Sequence, residues 1–140
     1  MPVYFTDRNL GKRFPEILRA AGMAVERLDD HFAHDTADHV WLKHVGERGW
    51  VAITHDARIR YKPNERDAVL AHGVALLVLV GDAPFAELAA NFVASRQRIE
   101  AFIDAGTPPY IAKIYRPTSK ELDANPAASG RIERWFPPPA

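Results

Sequence analysis

"VALLVLV", residues 74–80, is a run of seven apolar side chains with no polar break. A strand with one face in water alternates apolar and polar positions, whereas a strand covered on both faces need not, so this run reads as the central strand of a parallel sheet. Parallel neighbours need long crossovers, usually helical, and the flanking sequence supplies them. Upstream, "NERDAVLAHG" reads as a short helix capped by Asn64 and closed by Gly73, preceded by the strand "WVAIT". Downstream, "APFAELAANFVASRQRIEAFIDAG" repeats apolar residues near the 3.6-residue period from Phe85 to Ile103, with Pro84 in its first turn, and predicts the longest helix.

Toward the N-terminus, "PVYFT" has the β-branched and aromatic content of a strand. "LGKRFPEILRAAG" then places Leu10, Phe14, Ile17, Leu18 and Ala21 on one helical face, with Pro15 in the first turn and Gly22 as the stop. "MAVERL" is read as the second strand. The acidic "DDHFAHDTAD" leads into a helix carrying Trp41, Leu42 and Val45, with Asp35 or Thr36 as N-cap and Gly46 or Gly49 as its end. Beyond the long helix, "PYIAKIYR" supplies a fifth strand. "TSKELDANPAASG" reads as loop, "RIERWF" as an extra strand available to pair with the fifth, and "PPPA" as a frayed tail. Strand–helix alternation repeated four times predicts an α/β fold of three layers, a mostly parallel sheet of about five strands flanked by helices.

Composition bounds the chemistry. At 140 residues the chain is one domain in size, and 47% apolar with 26% charged residues is ordinary for a globular protein. Eighteen Lys and Arg balance eighteen Asp and Glu, so any polyanion is bound by a local patch and not by an overall field. Cysteine is absent, which excludes disulfides, thiol redox chemistry and thiolate zinc sites and leaves oxygen or imidazole ligands for any metal. No apolar run approaches bilayer length and the N-terminus lacks the order of a secretory signal, so a cytoplasmic protein without membrane contact is expected.

In a parallel sheet, ligands bind beyond the carboxyl ends of the strands. Two strands end alike: "VYFT" runs into Asp7, and "VAIT" into His55 and Asp56. Asp38 sits in the first turn of the helix that follows the second strand, at its third position after an Asp35 cap, and that helix starts on the same rim. Two carboxylates about 4 Å apart repel by roughly 4 kcal/mol at the effective dielectric near a protein surface. A hard divalent ion such as Mg²⁺ or Mn²⁺ removes that cost. Arg58, Arg60, Lys62 and Arg66 follow Asp56, and Arg8, Lys12 and Arg13 follow Asp7, so a phosphate backbone could be gripped beside the acids.

Each acid also has a purely structural use. Asp7 and Asp56 serve as turn residues, Asp38 as a partner of the helix dipole, and the basic run as a solvated loop. His31, His34, His39 and His44 lack the i, i+4 spacing of a paired imidazole site, so zinc is not expected. Trp41 and Trp50 read as core. Tyr61, among basic residues, is the better candidate for stacking on a base.

"FTDRNLGKR-PEILRAAG", "DDHF--DT-D--WL", "GWVAITHDARIRYKPNER" and "IAKIY", in this order, resemble the small PIN-like domain proteins related to VapC-type toxins. The likeness spans roughly residues 3–116. It sets a PIN-like domain at 1–116 and leaves 117–140 as a C-terminal loop with the extra strand at 131–136 and the Pro-rich tail. The resemblance implies a Mg²⁺- or Mn²⁺-dependent endoribonuclease, commonly the toxin of a type II toxin–antitoxin pair, with RNA as substrate and an antitoxin, or a second copy in a homodimer, as partners. Asp7, Asp38 and Asp56 match the family's catalytic, metal-holding acids. A fourth falls on Asp30, Asp35 or Glu65. Arg8, Arg58, Lys62 and Arg66 are the substrate-binding candidates. Two other readings stand beside it: a non-catalytic protein-binding module of the same fold, and a phosphoacceptor domain in which Lys113 serves as the late-strand lysine, against which stands Arg8 where a second acid belongs.

Overall fold

The computed structural model describes residues 1–137, apart from the side chain of Arg60. Six strands, β1 (Val3–Thr6), β2 (Ala24–Arg27), β3 (Val51–Thr54), β4 (Ala75–Leu79), β5 (Tyr110–Ile114) and β6 (Ile132–Phe136), form one sheet in the order β2-β1-β3-β4-β5-β6. The first five are parallel, and β6 runs antiparallel along β5 with a register irregularity at Ile111/Ala112. Every residue of β3 and β4 is buried, which is why "VAIT" and "ALLVL" carry no polar alternation.

Helices cover both faces. On one side α1 (Arg13–Ala20), α5 (Phe85–Ala94) and α6 (Arg96–Ala105) bury Phe14, Leu18, Leu88, Phe92 and Ile99 against Tyr4, Ile53 and Leu77. On the other, the four-residue α2 (Leu28–His31), α3 (Asp38–Arg48) and α4 (Pro63–His72) bury Leu28, Trp41, Leu42, Val45 and Val69 against Phe5, Ala52 and Leu76. The alternation of β1 decides the split: Tyr4 faces the first core and Phe5 the second. Gly49 and Gly73 end α3 and α4 in the left-handed conformation, where a Cβ is disfavoured. No helix among the described residues is long and apolar enough to cross a membrane.

Several expectations change in detail. The long helix is divided at Ser95, whose ψ relaxes to 5° and whose buried hydroxyl accepts the Gly130 N–H at 3.1 Å; hydrogen bonds still bridge the break. The stretch read as loop contains α7 (Ser119–Ala124), closed by a capping box between Thr118 and Glu121. Ala37, not Asp35 or Thr36, is the N-cap of α3, and Lys62 that of α4, with Pro63 and not Asn64 at its start. The expected extra strand is β6, which carries the same sheet beyond residue 116. The expected tail falls largely on residues 138–140, outside the described residues.

Candidate active site at the sheet switch point

The chain crosses from β1 outward to β2 and then back to β3 on the other side of β1, so the strand order reverses between β1 and β3. At such a point the connections leave in opposite directions and open a crevice at the strands' carboxyl ends. Asp7 and Asp56 both stand there. Asp7 continues the ladder, its N–H donating to the Ile53 carbonyl at 2.9 Å. Its Oδ1 accepts the Arg8 N–H at 2.7 Å and so caps a short 3-10 helix over Arg8–Leu10. Its Oδ2 accepts the Thr54 hydroxyl at 2.8 Å.

Thr54 is wholly buried and joins the two strand ends. Besides donating to Asp7, its Oγ1 accepts the Asp56 N–H at 3.1 Å and the Asn9 Nδ2–H at 3.1 Å. Asn9 in turn accepts the His55 N–H at 3.2 Å. A ring of short polar contacts thus fixes the backbone beside both acids. Neither Thr54 nor Asn9 figured among the sequence candidates; the only signal was a polar residue closing the apolar "VAI" two positions before Asp56.

The charges of two of the predicted acids, Asp38 and Asp56, act on the third, Asp7. Burial raises the Asp7 pKa, the Thr54 and Arg8 hydrogen bonds hold it down, and the charges of Asp38 and Asp56 push it up again, leaving it above the ordinary value of 3.8. Asp56 goes the other way. Burial would raise it, but hydrogen bonds from Lys62 Nζ at 2.7 Å and from the Arg58 backbone and guanidinium at 3.0 and 3.1 Å outweigh that and lower it. Asp38 occupies the first helical position of α3, not the third, and accepts the Nε1–H of the buried Trp41 at 2.9 Å. Its charge is felt by both Asp7 and Lys62.

Three carboxylates on one rim, one of them destabilised in its charged form by burial and then by the other two, are the donor chemistry a hard divalent ion takes. Their spacing is wider than a closed metal cage: among the described residues no three His, Cys, Asp or Glu side chains are gathered closely enough to hold one ion. Lys62 supplies the positive charge beside Asp56.

Most of the remaining candidates are engaged in contacts of their own. Arg8 donates to Asp29 at 2.7 Å and to the Ala33 carbonyl at 3.0 Å, tying the Asp7 turn to the segment after β2. Arg58 lies at the surface, its side chain 80% exposed, in a second 3-10 helix over Ala57–Tyr61. Arg66 on α4 lies over the Phe136 ring. Asp30 is exposed and pairs with Arg27 at 3.4 Å, Asp35 is exposed, and Glu65 is half-buried in the first turn of α4; the charges acting on Asp7 are those of Asp38 and Asp56. Lys113 extends over the Trp135 ring at 4.0 Å, not to the acids as a phosphoacceptor lysine would. His31 and His44 pack 5.4 Å apart within a ring cluster that includes Phe5 and Trp50.

The sequence model of a family described as "PIN like domain" matches residues 2–81, which contain all three acids and Thr54. The chain is 35% identical over 97 residues, 66% of its own length and 67% of the other's, to the Mycobacterium tuberculosis protein named "Putative ribonuclease VapC45". No solved structure matches. With the match covering more than half of the chain and a six-stranded, mostly parallel sheet between two helical layers, this protein belongs to the PIN-like domain family and is VapC-related.

Proposed function

We propose that the protein is an endoribonuclease that uses Mg²⁺ or Mn²⁺ to hydrolyse RNA phosphodiesters, the ion drawing Asp7, Asp38 and Asp56 together from their wider spacing. The observation that carries this reading is Asp7, half-buried at the switch point and raised above its ordinary pKa by burial and then by the charges of Asp38 and Asp56. When bound, the ion supplies Lewis-acid stabilisation of the phosphoryl oxygens and an activated water. The chain's own residues do the rest. Thr54 locks the Asp7 side chain and, through the Asp56 N–H, the neighbouring strand end. Trp41 sets the Asp38 rotamer. Arg58 and Lys62 keep two cations beside Asp56, where a phosphate entering the crevice meets them; Arg58, being exposed, is the one that reaches outward.

Replacing Asp7 by Asn tests the reading. The variant keeps the wild-type circular-dichroism spectrum and loses Mn²⁺-dependent cleavage of single-stranded RNA; cleavage at the wild-type rate overturns it. The toxin role, with an antitoxin as protein partner, extends the reading from the resemblance to VapC-type toxins. Induced expression then arrests growth, and D7N does not.

One observation favours the other reading, a non-catalytic binding module: Asp56 is already neutralised by Lys62 and Arg58. A module of that kind shows no saturable stabilisation by Mn²⁺, whereas the nuclease does.

A further inference from the structure

The basic turn after Asp56 leads away from the acids to a strip of aromatic side chains on the edge strand. Tyr61 ends the 3-10 helix that begins directly after Asp56 and precedes Lys62, whose ammonium rests on Asp56. Its ring packs edge-on against Trp135 of β6, 5.7 Å between centroids, and yet the residue stays 68% exposed. Phe85, at 38%, is the other aromatic residue that exposed among the described residues. Cations line the same strip: Lys113 Nζ lies 4.0 Å over Trp135, and the Arg66 guanidinium 5.6 Å over Phe136. The nearby Glu133 is taken up by Arg131 at 3.6 Å.

The strip is continuous with the proposed site. Thr54 pairs with Val78 and Val78 with Lys113, so these three share one row of the sheet. Two strand spacings put the Lys113 backbone about 10 Å from Thr54. A large exposed aromatic ring interleaved with cations matches a single-stranded nucleic acid, which offers π-faces and phosphates in alternation. An A-form duplex keeps its bases stacked on one another and offers such a ring nothing.

We propose that Tyr61, backed by Trp135 and flanked by Lys113 and Arg66, is a stacking subsite for an unpaired nucleobase of the RNA next to the bond cleaved at the switch point. The proposal rests on the RNA-nuclease reading and adds to it the residues that receive an unpaired base. Fluorescence anisotropy tests it, with a short fluorescein-labelled single-stranded RNA of mixed sequence and the corresponding blunt duplex as probes. Binding is measured in EDTA, RNA integrity is checked on a gel, and the full-length wild-type chain is compared with Y61A and Y61F. Y61A weakens single-strand binding about 5- to 140-fold, Y61F stays within about twofold because the ring is kept, and duplex binding does not change. The dependence of log Kd on log salt keeps its slope in Y61A, since no phosphate contact is removed.

Single-strand binding by Y61A equal to wild type, or equal weakening for both probes, overturns the proposal. So does an absence of single-strand binding by the wild-type chain, which leaves the strip to a protein partner. Asp7-dependent RNA cleavage with Y61A binding unaffected removes the subsite alone. Tyr61-dependent single-strand binding without cleavage removes the nuclease reading alone.

Discussion

Thr54→Val replaces one oxygen by one methyl and asks whether the two strand ends are held by chemistry or by shape. The side chain is fully buried and the lost hydroxyl serves three partners, Asp7, Asp56 and Asn9. A hydrogen bond to a charged group is worth about 1.5–3 kcal/mol net. Asn9 is exposed, so its amide can turn to water and adds little. The expected loss is therefore about 2 kcal/mol. At roughly 2 cal/mol/K per residue, a chain of this length has an unfolding entropy near 0.3 kcal/mol/K, and the melting temperature falls by about 7 °C. The same bond holds the Asp7 pKa down, so the carboxyl titrates at higher pH in the variant. Differential scanning calorimetry at neutral pH gives the first number, and carboxyl-carbon NMR titration the second direction. Thr54→Ser is the control, because it keeps the oxygen and loses the methyl. If Val melts with Ser and Asp7 titrates as in wild type, Thr54 is packing and the account of how the acids are positioned is wrong.

Asp7 itself carries a stability signature. Its folded pKa lies above its unfolded value, so its contribution is most favourable below the unfolded value and is lost as pH rises through the folded one. Asp7→Asn removes that burden: the variant melts at or above wild type at neutral pH, and the gap narrows as pH falls toward the ordinary carboxylate range; a lower melting temperature with no pH dependence refutes the assignment. Lys62→Met leaves the mostly buried Asp56 without its ammonium partner and costs about 1–2 kcal/mol in urea denaturation at neutral pH. Asp56 stabilises the fold above its unfolded pKa, a contribution lost as pH falls through its lowered folded value, so acid sensitivity begins at higher pH in the variant; an unchanged acid profile contradicts this. Gly46→Ala drives a Cβ into the His72 carbonyl oxygen where α3 crosses α4. Overpacking of about 1–3 kcal/mol exceeds the up to about 1 kcal/mol that Ala gains over Gly in a helix, so the midpoint of chemical unfolding falls; a stabilised variant refutes the close packing.

The layers were legible because burial on both faces of a strand leaves a simple mark: "VALLVLV" cannot be half in water, and its helical neighbours repeat at 3.6. Local chemistry was legible where one residue type serves one backbone need, as at Gly73, and between two glycines at the end of α3, where Gly49 and not Gly46 is the cap. It failed where alternatives compete over a few residues. "DTAD" offers three polar residues as caps, yet the helix starts after the apolar one, Ala37, with Asp38 already engaged by Trp41. The capping box of "TSKE" was present in the sequence and was masked by the Pro- and Ser-containing stretch around it. For the site, two acids could be placed from strand ends alone, since strands in one parallel sheet share a rim. Which fourth acid joins them is a matter of side-chain direction, and Asp30, three residues past the end of β2, turns to Arg27. The partners of the acids, Thr54 and Lys62, depend on contacts 47 and 6 residues apart in sequence, and no spacing rule announces them.

The central claim is that Asp7, Asp38 and Asp56 act as one divalent-cation site. A crystal structure of the wild-type chain soaked in Mn²⁺, with data collected at the manganese absorption edge, tests it most directly. The account predicts an anomalous peak within coordinating distance of the Asp7 and Asp56 carboxylates, with Asp56 drawn from Lys62. No peak at the switch point, or one that touches neither acid, contradicts it.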